Sequence, residues 1–106
     1  MFARRVYMHL KPNSIAEFTE RLEKQVIPTL RKQKGFHDEI TFVAPSGTEA
    51  FAISLWENKE NADAYSRGSY SELAKVLATV IEGPPQVETF NVANSTFHKI
   101  AAAATV

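Results

Sequence analysis

The order of hydrophobic patterns in this chain predicts an α+β fold, β-α-β-β-α-β, in which a four-stranded antiparallel sheet of strand order 4-1-3-2 carries its helices on one face. Three observations predict it. Segments near residues 3–10, 36–44, 49–57 and 86–97 read as strands, rich in β-branched and aromatic residues. Two longer segments between them carry apolar residues at helical spacing. Only the turn Pro45-Ser46-Gly47-Thr48 separates the second and third strands, so they must form a hairpin. Right-handed crossovers through the helices then give the ferredoxin-like arrangement.

The first strand runs Ala3 to Leu10, with Val6, Met8 and Leu10 pointing one way and Arg5, Tyr7 and His9 the other. Lys11-Pro12-Asn13 ends it. Ser14 and Glu17 have the spacing of a capping box, and Ile15, Phe18, Leu22, Val26 and Leu30 form the buried stripe of the first helix. Pro28 lies inside that pattern; it cannot bond to the Lys24 carbonyl and is expected to kink the last turns. Gly35 suits a left-handed cap. Phe36 to Ala44 and Glu49 to Glu57 are the hairpin strands. Asn58 reads as the N-cap of a short helix to about Arg67, and Gly68 interrupts it. Ser69 with Glu72 forms a second capping box, opening a helix over Tyr70 to Glu82 with the stripe Tyr70, Leu73, Val76, Leu77 and Val80. Gly83 is expected to cap it and Pro84-Pro85 to prevent its continuation. The last strand is placed from Gln86 to about Phe97. The domain is expected to span residues 1–99, with the alanine-rich tail from Ile100 frayed.

Bulk composition excludes several function classes. Twelve basic and twelve acidic residues balance, so no broad field favours nucleic acid or an anionic membrane. The chain has no cysteine, which removes disulfides, thiolate metal sites and cysteine nucleophiles. No stretch approaches the roughly 18–20 apolar residues of a membrane span. Met1 to Tyr7 has no apolar run behind its arginines, so no secretory leader is expected. A cytoplasmic location follows as the default expectation. The histidines His9, His37 and His98 fall at separate places in the predicted sheet, so no metal site is expected within one subunit.

Helices can cover only one face of such a sheet. Val6, Met8 and Leu10 are grouped here with Phe51, Ile53 and Leu55; Tyr7, Ala50, Ala52 and Trp56 make the other face partly apolar too. Each large apolar side chain is worth roughly 1.5–3 kcal/mol when buried, and a face with several of them is large for a monomer. A homodimer joined through the sheet faces is therefore expected.

Two stretches carry a resemblance to a known family. Val26-Ile27-Pro28 and Leu30-Arg31-Lys32-Gln33-Lys34-Gly35-Phe36 are similar to the helix-end motif of the antibiotic biosynthesis monooxygenase (ABM) superfamily of dimeric α+β barrels. The run Ser54-Leu55-Trp56-Glu57-Asn58-Lys59-Glu60-Asn61-Ala62 resembles the family's third-strand ending, where Trp often precedes a Ser or Asn cap and an Ala-rich helix. The resemblance spans nearly the whole chain. It implies two sheets packed face to face and, in each subunit, a pocket between the sheet and its own helices. Family members include cofactor-free oxygenases of aromatic polyketides, haem-degrading enzymes and proteins with no known activity.

The residues sort these alternatives. At the positions where the haem-degrading branch uses Asn, Trp and an axial His, this chain has Tyr7, Tyr65 and Lys75, so haem degradation is disfavoured. Cofactor-free oxygenation of a small aromatic or quinone-like molecule needs a flat site, a proton acceptor and stabilisation of an oxyanion, with no cofactor and no metal. Aromatic walls are expected from Tyr7, Trp56, Tyr65 and Tyr70, a base from His9, and a hydrogen-bond donor from Asn91. The alternative is a non-catalytic small-molecule-binding or stress-related dimer. In that reading Trp56 anchors the following helix and the tyrosines pack helices.

Overall fold

The computed structural model describes residues 1–100, and the tail expected to fray lies outside them beyond Ile100. The strands are β1 (Phe2–Leu10), β2 (Phe36–Val43), β3 (Glu49–Trp56) and β4 (Ile81–Asn91). They form one antiparallel sheet ordered β2-β3-β1-β4, the predicted 4-1-3-2 read from the other edge. The helices are α1 (Ile15–Arg21), α2 (Ile27–Arg31), α3 (Lys59–Arg67) and α4 (Tyr70–Leu77).

Between α1 and α2 the chain winds as a π-helix over Leu22–Val26. This is where Pro28 makes itself felt. Proline offers no N–H to the preceding turn, and the turn widens so that the Ile27 N–H reaches the Leu22 carbonyl. The Thr29 hydroxyl donates to the Gln25 carbonyl at 3.0 Å beside it.

Local capping followed backbone conformation. Asn58 is extended (φ −154°, ψ 173°), and its side chain accepts the Asn61 N–H at 2.9 Å. Neither expected capping box forms. Ser14 (φ −108°, ψ 2°) and Ser69 (φ −71°, ψ −20°) are not extended, and neither side chain caps its helix. Ser69 Oγ instead accepts from Gln33 Nε2 at 3.2 Å, tying the start of α4 to the end of α2. Gly35 has φ +77°, and a Cβ there would collide with the Asn61 side chain.

The second helical region is shorter than expected. It ends at Leu77, and β4 begins at Ile81, ahead of Gly83-Pro84-Pro85. Ile81 pairs with Leu10 and is buried, so pairing with β1 claims residues that periodicity assigned to the helix. The prolines are tolerated because β4 is an edge strand, and a register shift between Tyr7 and His9 accommodates them. The strand stops at Asn91, short of the expected Phe97.

The register also corrects the assignment of faces. Residues opposite one another across an antiparallel pair share a face. Val6 lies opposite Ala52 and Met8 opposite Ala50, whereas Tyr7 lies opposite Phe51 and Arg5 opposite Ile53. The helix-covered face is thus Phe2, Arg4, Val6 and Met8 with Ala50, Ala52, Ser54 and Trp56. Phe51, Ile53 and Leu55 belong with Arg5, Tyr7 and His9 on the other face. Phe18, Trp56 and Val80 are fully buried beneath the helices. On the open face Ile40, Phe42 and Phe90 remain 43–50% exposed.

Candidate functional site

The sheet's helix-covered face contains one row of polar residues crossing all four strands. Glu39 on β2 pairs with Ser54 on β3; Ser54 pairs with Arg4 on β1; Arg4 pairs with Thr89 on β4. Above the inner part of this row, α3 and α4 deliver Tyr65 and Tyr70. The result is a cavity of about 60 Å³. Its floor is Arg4, Val6, Met8, Ala52 and Ser54, its helical walls include Leu22, Val26, Leu73 and Leu77, and Glu39 stands at one side. It adjoins a surface groove of about 340 Å³ between α4 and β4, with which it shares Ala74, Ile81 and Pro85. Those three residues form the rim between the two.

Small residues in the floor make the space. Ala52 and Ser54 line the cavity, while Ala50 is closed over by the core. Trp56 is 0% exposed and does not line the cavity. Its indole N–H donates to Ser54 Oγ at 2.9 Å, and its ring stacks on Tyr65 at 4.9 Å and meets Phe36 edge-on at 5.5 Å. Trp56 therefore acts on the cavity through Tyr65, as the support of one wall.

Arg4 is 3% exposed. Its guanidinium lies 4.5 Å from the Tyr70 ring centre and 5.2 Å from that of Tyr65. Among the described residues no carboxylate comes within ion-pair range of it. Burial raises the pKa of Glu39, and a hydrogen bond from the Thr41 hydroxyl partly opposes the rise. Burial pushes Tyr65 up to about 12, against the pull of the Arg4 charge, so its hydroxyl stays protonated at neutral pH.

Of the residues singled out from sequence, Tyr65 and Tyr70 line this cavity. Tyr7 and His9 lie across the sheet on the open face, their rings edge to face at 5.2 Å. There the Tyr7 hydroxyl donates to Glu49, which raises the Tyr7 pKa. His9 is exposed and cannot reach a molecule beneath the helices. Asn91 ends the edge strand opposite Phe2 and is also exposed. The positions matched to haem degradation do not converge either: Tyr65 is in the cavity wall, Tyr7 is behind the sheet and Lys75 is exposed on α4.

One pair of histidines does meet, contrary to the expectation from strand order. The His37 and His98 rings lie 5.3 Å apart. The chain beyond β4 comes round to β2, where His98 contacts Asp38 and His37 contacts Glu57 at 2.5 Å. Among the described residues no group of three or more His, Asp or Glu side chains is placed to hold a metal, and no helix is long and apolar enough to cross a membrane.

Sequence reasoning missed Arg4 and Glu39, although a signal for Arg4 was present. Arg4 has the same parity as Val6 and Met8, so the alternation that buries those residues also buries a charge.

Solved structures share this architecture. A monooxygenase from the gene ActVA-Orf6 of Streptomyces coelicolor, in complex with nanaomycin D, superposes with TM-score 0.75 at 17% identity, covering 92% of each chain. SnoaB of Streptomyces nogalater, a cofactor-independent oxygenase solved as a mutant form, gives 0.73 at 13% identity over 90% of this chain and 95% of that one. A Bordetella bronchiseptica protein, provisionally named an antibiotic biosynthesis monooxygenase, gives 0.74 at 18% identity over 88% and 97%. No protein-family model and no curated protein matches this sequence. The chain has the α+β ferredoxin-like fold of the antibiotic biosynthesis monooxygenase structures.

Proposed function

We propose that this protein is a cofactor-independent monooxygenase acting on a small aromatic or quinone-like molecule held between the sheet and its helices. The observation that carries the reading is the cavity itself. It is apolar, walled by Tyr65 and Tyr70, and supplied with one buried cation and one half-buried carboxyl. The fold shared with SnoaB and with the nanaomycin D complex supports the same substrate class.

In this reading Glu39 takes the place that sequence reasoning gave to His9. A carboxylate desolvated by its surroundings is a stronger base than one in water. It removes a proton from an activated ring carbon or phenol, and the resulting substrate anion supplies electrons to dioxygen. For an anthrone-like methylene the balance is CH2 + O2 → C=O + H2O, with one oxygen atom in the product and one in water. The substrate's own carbanion is the reductant.

The enclosed space is less than half of the ~150 Å³ cavity that holds benzene in an engineered protein. Binding must therefore part α4 from β4 at Ala74, Ile81 and Pro85. That tightness also favours a second reading, a non-catalytic binding dimer using the same pocket. In either case two subunits join through their open faces, covering Ile40, Phe42 and Phe90, and the protein works in the cytoplasm.

The test is oxygen uptake by purified protein with anthrone-, hydroquinone- and flavonoid-type compounds, with and without chelator. Protein-dependent uptake indifferent to chelator is expected. No uptake across the panel, with calorimetric binding retained, would reject the oxygenase in favour of the binding dimer.

A further inference from the structure

We propose that the pocket selects planar aromatic carboxylates, and that Arg4 is the residue that receives the acid group. The inference rests on the pocket being a ligand site, as proposed above, and adds the charge that its ligand carries.

Arg4 occupies a core-facing position of an inner strand, is 3% exposed and opens into the cavity. Burying a guanidinium is costly unless something offsets the lost hydration. The Tyr65 and Tyr70 rings supply part of that offset. They accept no in-plane N–H hydrogen bond. Among the described residues no side-chain nitrogen is both sealed from solvent and without a partner. No hydrogen bond from the Arg4 guanidinium to a described residue is seen either, and Arg4 lines the cavity. Its aromatic contacts hold the guanidinium against Tyr65 and Tyr70 beside the cavity.

Glu39 does not neutralise it. The two stand two strands apart in one row, with Ser54 between them, so their backbones are separated by roughly 10 Å. No ion pair joins them. Both charges are felt at Tyr65, where Arg4 lowers and Glu39 raises the pKa of the hydroxyl. The pocket floor thus holds an unspent positive charge among apolar walls. A carboxylate meets a guanidinium fork with two parallel hydrogen bonds. The rest of the ligand must be flat and apolar to lie over Ala52 and Ser54, with its reactive position toward Glu39. A neutral quinone or phenol, once α4 and β4 part to admit it, would leave the Arg4 charge unpaired.

The test compares 2-naphthoate with 2-naphthamide, which share a ring system and a size and differ in charge. Isothermal titration calorimetry at fixed pH and salt reads binding without any need for turnover. The acid is expected to bind about tenfold or more tighter than the amide, the scale of a charge-assisted hydrogen bond. Arg4→Gln should abolish that preference, Arg4→Lys should keep part of it, and Arg5→Gln, on the other face, should leave it whole. Far-UV circular dichroism checks that each variant folds. Should Arg4→Gln not fold, the wild type and Arg4→Lys still decide. Equal binding of acid and amide by the wild type overturns the acid preference and leaves the pocket reading standing. A preference that survives Arg4→Gln overturns the role of Arg4. Binding of neither probe removes both this inference and the ligand site it rests on.

Discussion

Ser54→Ala should destabilise the protein far beyond what loss of one oxygen atom suggests. Ser54 Oγ is the acceptor for the Trp56 indole N–H, at 2.9 Å, and the two residues are 8% and 0% exposed. Without that oxygen the N–H has no acceptor and no water. An orphaned buried donor costs about 1–3 kcal/mol, more than the net ~1 kcal/mol of an ordinary hydrogen bond. A value near 2 kcal/mol corresponds to a drop of about 8 °C in Tm for a chain of this length. The effect should reach the cavity as well, because Trp56 stacks on Tyr65 and Tyr65 lies against Arg4. Urea unfolding at one fixed protein concentration is the assay, since association would otherwise shift the midpoint. A double-mutant cycle with Trp56→Phe isolates the cause. In the Phe background no donor remains, and Ser54→Ala should cost little. An equal cost in both backgrounds would refute the orphaned-donor reasoning.

Glu39→Gln should lower turnover by about a hundredfold or more if Glu39 is the base, measured as oxygen uptake with a substrate of the wild type. It should also change the pH dependence of stability. A carboxyl with a raised folded-state pKa binds its proton more tightly folded than unfolded, so its contribution to stability is present below the unfolded pKa and is lost as pH rises through the folded one. The Gln variant should lack that part of the decline in denaturant midpoints. Phe42→Asp should prevent the association through the open face proposed above. Phe42 is 43% exposed, so about 90 Å² of ring surface awaits a partner, worth ~2 kcal/mol per subunit. Two copies in a symmetric interface make the expected loss about a thousandfold in Kd, read by analytical ultracentrifugation. His9→Ala should leave ligand binding and turnover unchanged, because His9 lies across the sheet from the cavity; a large loss of turnover would show that the cavity is not the reaction site.

Element order, strand order and the hairpin were legible in the sequence because they depend on local period and on turn residues. Those signals are written within ten or so neighbouring positions, as the Asn58 cap shows. Other readings failed because they required knowledge of a partner. Ser14 and Ser69 have the right letters for capping boxes but not the extended backbone a cap needs, and packing sets that conformation. The strand at Ile81 begins early because Leu10 pairs with it. His37 meets His98 because the chain after β4 crosses to β2, a course no periodicity records.

The candidate site divides along the same line. Alternation along one strand was enough to keep Tyr7 and His9 together and apart from Val6 and Met8. It could not say which face of β3 each set joins, since a shift of one residue in register exchanges the faces of a whole strand. Pairing of Val6 with Ala52 and of Arg4 with Ser54 settled that, and with it the members of the pocket. The sequence by itself determined the layers, the strand order and the aromatic supply. The tertiary structure alone decided that Arg4 and Glu39, 35 positions apart, stand in one row beneath Tyr65 and Tyr70, because register and helix docking are properties of contacts between distant segments.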